Sequence, residues 1–153
     1  MNWRAPVEVT GRILSATDAS APPLEFSGEL FFADGVSAGF YCSFLVPNQQ
    51  WVTVSGTRGW LRLDDFVHPA HPHAPTFLTQ DGLTTVESGD DATPGRGSSR
   101  AQEVNMFRDF ARQVASGRLN EDWPQWSVKT QRVQDACLQS ARNGGQRVAV
   151  PPF

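Results

Sequence analysis

Three histidines in the middle of the chain are the first candidates for metal chemistry. His68, His71 and His73 fall within six residues, and imidazole nitrogens are common ligands of zinc and nickel. Pro69 and Pro72 favour an extended segment, in which the rings would diverge, and no carboxylate or thiolate follows at ligand spacing. We therefore favour a loop over a metal site, and no residue is predicted to bind a metal.

Adjacent carboxylates are the second candidate, because paired acids can perform acid–base catalysis. Asp64-Asp65 and Asp90-Asp91 are such pairs, but adjacent residues of a strand point to opposite faces, so we interpret them as solvated turn residues. The chain has no G-x-G-x-x-G pattern, and Gly56 and Gly59 join two predicted strands rather than opening a helix. No catalytic or cofactor-binding residue is predicted in this chain.

The composition is that of one soluble domain. In 153 residues, 13 Lys and Arg against 16 Asp and Glu give a net charge of −3. This argues against nucleic-acid or anionic-membrane partners, which require clustered positive charge. The longest largely apolar run, residues 36–46, is far shorter than the roughly 20 residues that span a bilayer. We expect a cytoplasmic protein whose Cys42 and Cys137 are buried free thiols.

Alternating apolar residues predict strands through most of the chain. The clearest is Val36–Val46, where every even position is apolar. The other predicted strands are Pro6–Ser15, Glu25–Ala33, Gln50–Ser55, Trp60–Leu63, Thr76–Gln80, Leu83–Glu87 and Gln146–Val150. Asp34-Gly35, Gly56–Gly59 and Asp81-Gly82 lie between strands and predict hairpin turns.

Two amphipathic helices interrupt this pattern. One runs from a capping box at Ser99 to Gly117, and the other follows Pro124 and stops at Gly144-Gly145. Strands segregated from helices indicate an α+β fold, which we predict to be an antiparallel-rich open-faced sheet with two main helices packed on one face. We expect residues 1–153 to form a single domain.

The predicted sheet is apolar on both faces, unlike a half-exposed antiparallel sheet. Its predicted core face holds Phe32, Phe40, Phe44, Val52, Val54, Leu61 and Leu63. The opposite face holds Phe31, Tyr41, Leu45, Trp51 and Trp60. Either loops of the same chain cover these five side chains or they form a binding surface, and we favour a symmetric interface in a homo-oligomer.

Four segments occur in an order and spacing typical of one enzyme family. They are Phe32–Ala38, Trp51–Leu61, the helix from Glu103 to Gly117, and the last helix and strand over Val133–Val148. Together they resemble the C-terminal domain of the Gfo/Idh/MocA oxidoreductases, relatives of glucose–fructose oxidoreductase and inositol dehydrogenase. The resemblance covers nearly the whole chain and implies a fold like the C-terminal domain of dihydrodipicolinate reductase.

The resemblance also implies a role within a larger enzyme. The parent would transfer hydride between NAD or NADP and a sugar, polyol or related substrate. The family's N-terminal Rossmann domain and catalytic His motif would precede the strand near Pro6, so we expect the isolated chain to be inactive, without a cofactor. It would supply the oligomer interface and part of the substrate pocket. By position, the resemblance implies that Asn48, Gln50, Arg100 and Gln102 contact the substrate.

A second hypothesis is a non-catalytic ligand-binding or protein-interaction module that uses the aromatic sheet face. The coding sequence upstream of Met1 distinguishes the two. An in-frame G-x-G-x-x-G, a Lys-Pro pair and a Gly-x-His-x-x-Asp segment would indicate the enzyme, whereas a nearby stop codon would favour the stand-alone module.

Overall fold

Each predicted strand and helix is present, most with shorter ends. A computed structural model describes residues 4–18, 20–67, 76–85 and 102–152, without the side chains of residues 102 and 103. Its elements are β1 (Glu8–Ser15), β2 (Glu25–Phe31), β3 (Ser37–Ser43), β4 (Val52–Gly56), β5 (Gly59–Leu63), β6 (Thr76–Thr79), β7 (Gly82–Thr85), α1 (Gln102–Ala115), α2 (Asp122–Arg142) and β8 (Val148–Ala149). The α+β class is confirmed. The three histidines, Asp90-Asp91 and Ser99 lie outside the described residues.

The strands form two sheets, whereas the sequence analysis predicts one. The first has the order β3-β2-β1-β8 and the second β4-β5-β6-β7, each antiparallel throughout. Contacts within the chain likewise define two compact units, Met1–Val46 with Asn120–Phe153 and Pro47–Leu119. The single domain over residues 1–153 remains a prediction.

In the first unit, α2 packs against β1 and β8. Val9, Ala136, Cys137 and Val150 form the buried core, and Phe26, Leu30, Val133 and Val148 pack against it half-buried. The alternation of β1 and β2 directs one side chain in two toward the helix, because successive side chains of a strand point to opposite faces. Packing of a helix on the sheet is thus confirmed for α2.

Gly11 allows α2 to lie close to β1. A Cβ atom at this position would stand 2.2 Å from the carbonyl oxygen of Cys137 and 2.7 Å from the ring of Phe26. The Gly11 backbone N–H donates to Oγ of Ser140 at 3.0 Å, and this hydroxyl donates to the Gln146 carbonyl oxygen at 2.5 Å. β8 pairs only with Glu8 and Val9, so the Gly11 N–H lies beyond the end of that short strand. The Ser140 hydroxyl accepts its hydrogen bond instead.

In the second unit, tight turns join β4 to β5 and β6 to β7. Gly59 and Gly82 have φ values of +139° and +120°, a region that glycine adopts without steric cost and that these two turns require. Helix α1 belongs to the same unit. Its apolar side chains Met106, Phe107, Phe110 and Val114 are 59–68% exposed.

The predicted core face is only partly covered, since Phe32, Val52, Leu61 and Leu63 are half-buried. Phe40, Phe44 and Val54 are exposed, Phe44 by 86%. In the first unit, the alternation does place Phe40 on the helix side of the sheet, where its ring stacks on Phe26 at 6.0 Å. However, α2 covers β1 and β8 rather than the edge strand β3. The same geometry exposes Cys42, which we predicted to be buried, whereas Cys137 is buried as predicted.

Candidate functional site

Two of the four predicted substrate-contacting residues lie in the segment that leads into β4. Asn48 is exposed and Gln50 half-buried. Gln102 is the first residue of α1, but its side chain, like the whole of Arg100, lies outside the described residues. The structure describes Asn48 and Gln50 on one segment, and substrate contact by all four residues remains a prediction.

A hydrogen-bonded bridge between two segments fixes Gln50. Its Nε2 atom donates to Oδ1 of Asp65 at 2.7 Å, and the Phe66 N–H donates to the Gln50 carbonyl oxygen at 2.9 Å. The same Asp65 oxygen accepts from the Val67 N–H at 2.9 Å. Among the described residues, Oε1 of Gln50 accepts no hydrogen bond. The Gln50 amide is thus held in place while one acceptor stays available.

Asp65 is the residue of this site that the sequence analysis missed. We predicted Asp64-Asp65 to be solvated turn carboxylates. Asp64 is 84% exposed in its ion pair with Arg62, at 2.7 Å, but Asp65 is half-buried and orients Gln50. An Asp whose carboxylate bonds a backbone N–H two residues later is a common local turn. The local sequence Asp65-Phe66-Val67 is enough to predict this turn. It does not predict the hydrogen bond between Asp65 and Gln50.

The five predicted interface residues are divided between the two units. Phe31, Tyr41 and Leu45 belong to the first unit, and Trp51 and Trp60 belong to the second. All but half-buried Phe31 are 37–58% exposed. The prediction of one patch assumed that these residues stand on neighbouring strands of a single sheet. Phe31 and Tyr41 lie in one sheet and Trp60 in the other, whereas Leu45 and Trp51 lie outside the strands, so that assumption does not hold. Their role in an interface remains a prediction.

The face of the first sheet opposite α2, here called the open face, is mostly polar. It carries cross-strand rows whose register is set by β1, β2 and β3. These rows are Glu8–Phe31–Ser37, Thr10–Glu29–Gly39, Arg12–Ser27–Tyr41 and Ser15–Glu25–Ser43. The prediction that the sheet is apolar on both faces is therefore wrong for this sheet, whose two predicted interface aromatics stand among hydroxyl and charged groups.

Both open-face aromatics have polar contacts within the chain. The guanidinium carbon of Arg147 lies 3.9 Å from the ring centroid of Phe31, and Arg147 also pairs with Glu8 at 3.2 Å. The Tyr41 hydroxyl donates to the Glu25 carboxylate, which raises the pKa of Tyr41 above its usual 10.0 because the bond favours the protonated phenol. These contacts orient the aromatic rings on the open face.

The described residues contain two surface recesses of a size for small ligands. One, about 590 Å³, lies at the β4–β5 turn, where Gln80 accepts from the Trp60 N–H at 3.1 Å. The other, about 380 Å³, lies on the open face between Thr10, Arg12, Ser27 and Glu29. The second is lined by charged and hydroxyl groups, which suit a polar partner better than an apolar one.

The described residues form neither a metal cluster nor a membrane-spanning helix. Within those ranges, no group of three or more His, Cys, Asp or Glu side chains could hold a metal ion. No helix within them is long and apolar enough to cross a membrane. The buried Cys137 has a pKa above its usual 9.0, because burial disfavours the thiolate. A raised pKa makes this thiol a poor nucleophile.

A crystal structure of GenD2 from gentamicin A biosynthesis, in complex with NAD, has a fold similar to this chain. The TM-score is 0.66 at 20% sequence identity, and the match covers 97% of this chain but 43% of the GenD2 chain. This chain thus spans less than half the length of GenD2. No family model matches the sequence. The likeness establishes a shared fold with part of an NAD-bound protein.

Proposed function

We propose that this chain is the C-terminal domain of a Gfo/Idh/MocA-type oxidoreductase. The parent enzyme would transfer hydride between NAD or NADP and a sugar, polyol or related substrate. The observation that carries this proposal is the fold match with NAD-bound GenD2, which spans nearly all of this chain and less than half of that protein. The four sequence segments that resemble the same family support it independently.

The nicotinamide cofactor would be bound by residues beyond those described here. Dinucleotide sites of the Rossmann type need a parallel strand–glycine loop–helix unit, whose helix N-terminus meets the pyrophosphate. Both sheets described here are antiparallel, and the sequence has no G-x-G-x-x-G. The described residues do not fit that cofactor, so the chain's own contribution would be to position substrate and to assemble the enzyme.

The segment around Gln50 would form one wall of the substrate pocket. Asp65 accepts from Nε2 of Gln50, and the remaining amide oxygen has no donor among the described residues. That oxygen would accept a hydrogen bond from a substrate hydroxyl, and the exposed Asn48 would add a second amide. Amide groups donate and accept at once, as recognition of a polyhydroxylated substrate requires. Arg100 and Gln102 complete the proposed set.

The chain would also provide a homo-oligomer interface through Phe31, Tyr41, Leu45, Trp51 and Trp60. Trp51→Glu should shift the chain toward monomer, because a symmetric contact would then contain two desolvated charges. Light scattering of the unmodified chain and of this variant measures the effect. An unmodified chain that is monomeric at all accessible concentrations would contradict this part of the proposal.

The decisive test of the parent enzyme is its coding sequence together with cofactor titration. An upstream, in-frame segment with G-x-G-x-x-G, Lys-Pro and Gly-x-His-x-x-Asp is expected. Calorimetric titration of the 153-residue chain alone with NADH and NADPH should show no micromolar binding, and the full-length protein should bind one of them. Micromolar binding by the isolated chain, or no binding by the full-length protein, would overturn the proposal.

The pocket wall is tested in the full-length enzyme with a panel of sugars and polyols. Asn48→Ala should raise KM by about two- to tenfold, the effect of losing one neutral hydrogen bond. Gln49→Ala is the matched control, since it is the exposed amide between the two proposed contacts. Equal KM values for Asn48→Ala and Gln49→Ala would remove Asn48 from the site.

A further inference from the structure

The recess of about 380 Å³ on the open face is lined by polar side chains that have no partner among the described residues. These side chains are Thr10, Arg12, Ser27 and Glu29. Within the described ranges, none of the four forms a hydrogen bond or an ion pair. All but the exposed Arg12 are half-buried. Because partly desolvated polar groups are more stable when paired, this recess favours a ligand that pairs with them.

The strand register places a cation and an anion at diagonal positions of the recess. Arg12 on β1 and Glu29 on β2 stand in adjacent rows, and diagonal positions of an antiparallel pair are about 7–8 Å apart. Gly39 on β3 is the other neighbour of Glu29 and adds no side chain there. Arg12 lies against the turn between α2 and β8, where a Cβ atom at Gly145 would stand 3.9 Å from its Nε atom.

The charges around the recess determine which ligands it favours. Glu25, two residues from the strand partner of Arg12, keeps its negative charge while it accepts from the neutral Tyr41 hydroxyl. Apart from the Glu8–Arg147 ion pair, the rows of β1–β3 therefore carry one positive and two negative charges on this face. This balance disfavours a simple anion, so a ligand of Arg12 must bring a cation with it.

We propose that this recess binds a small α-amino acid in its zwitterionic form. Arg12 would donate to the carboxylate through its planar fork, and Glu29 would accept from the ammonium group. Both charges of an α-amino acid are attached to one carbon, and the long side chains of Arg12 and Glu29 extend to either side of it. The hydroxyls of Thr10 and Ser27, which donate and accept, would complete the contacts.

The size of the recess agrees with such a ligand. Its volume is near the lower end of the range for small-molecule pockets. The inference goes beyond the proposed function and does not depend on it. The proposed interface residues Phe31 and Tyr41 do not line the recess.

Three related compounds test the proposal by nuclear magnetic resonance titration of the 153-residue chain. L-serine should bind with a Kd of about 1 mM or less and shift the amide signals of Arg12 and Glu29. N-acetyl-L-serine lacks the cation and L-serinamide lacks the carboxylate. Each should bind about tenfold more weakly or less tightly still, because each loses one charge-assisted contact.

Two substitutions assign the charges of the ligand to their partners. Arg12→Gln should remove the preference for serine over serinamide, because the carboxylate is then no longer recognised by a cation. Glu29→Gln should remove the preference for serine over N-acetylserine. In each variant the affinity for serine itself should fall by about tenfold. A purely structural effect of either substitution would weaken all three compounds equally.

Matched controls separate this site from general charge effects. Arg58→Gln and Glu121→Gln make the same changes at exposed positions outside the recess and should leave serine binding unchanged, while circular dichroism should show that all variants fold. Equal affinities for the three compounds, no binding of serine, or binding that tolerates both Arg12→Gln and Glu29→Gln would overturn the proposal. None of these results bears on the enzyme assignment, which cofactor titration of the full-length protein tests.

Discussion

Removing the Ser140 hydroxyl should destabilise the first unit by about 2 kcal/mol, the cost of leaving one buried N–H unsatisfied. Ser140 is fully buried and accepts from the buried Gly11 N–H at 3.0 Å. In Ser140→Ala that N–H has no acceptor, because β8 pairs only with Glu8 and Val9 and does not reach this row. The Gln146 carbonyl, which accepts from the same hydroxyl, belongs to an exposed residue and can turn to water, so its loss adds little.

Urea unfolding followed by far-ultraviolet circular dichroism measures this effect. Ser127→Ala is the matched control: Ser127 is an exposed serine of the same helix, whose hydroxyl donates to the Trp123 carbonyl oxygen at 3.2 Å. Both variants gain the same helix propensity, about 0.5 kcal/mol, so their difference isolates the buried contact. In thermal unfolding the difference should be about 4–8 °C for a chain of this length.

Hydrogen exchange adds a readout at the atom itself. The Gly11 amide should be among the protected amides in the unmodified chain and should exchange faster in Ser140→Ala than in Ser127→Ala. Equal stability of the two variants within about 0.5 kcal/mol, the usual range of a neutral surface change, would refute the assignment of Ser140 as the partner of β1.

Three further predictions follow from the same unit. Gly11→Ala should destabilise it more than Ser140→Ala does, because the new Cβ would lie 2.2 Å from a backbone oxygen, whereas Gly39→Ala, where the nearest atom is 4.0 Å away, should be nearly neutral in urea unfolding. Burial raises the pKa of Cys137 above 9.0, so its contribution to stability is complete below that pH and falls as the pH rises through the folded-state pKa. Cys137→Ala should lessen this alkaline loss, and an unchanged pH profile would rule the thiol out. Tyr41 is the only tyrosine, so ultraviolet titration of its phenol should give a midpoint above 10.0 that falls when Glu25→Ala removes the acceptor; the same midpoint in both proteins would refute the bond.

Local patterns were sufficient to predict the elements of this chain. β1, β2 and β3 follow the predicted alternation, and Gly35 has the φ of +80° that the Asp-Gly turn anticipates. Both helices end before glycines with positive φ, at Gly117 and Gly144. Strand alternation, helical periodicity and turn residues each involve only a few neighbouring positions. They can therefore be recognised directly in the sequence.

The residues of the candidate site were proposed on a different basis. Gln50 and Asn48 were identified from their position beside a strand, within a resemblance that spans the chain. The bridge that orients Gln50 joins it to Asp65, 15 residues away. No local pattern indicates which of several Asp residues will meet a given amide, because that depends on how two segments pair.

The sequence by itself thus determined the strands, the helices, their order and the turn glycines, since each depends on backbone sterics and on the polarity of near neighbours. The tertiary structure decided which strands share a sheet, and thereby assigned Tyr41 and Trp60 to different sheets and made the open face polar. It also decided that α2 covers β1 and leaves Phe40 exposed, and that Ser140 meets Gly11, 129 residues away. These outcomes depend on contacts between distant segments. Alternation shows which residues share a face of a strand, but only packing decides which face is buried.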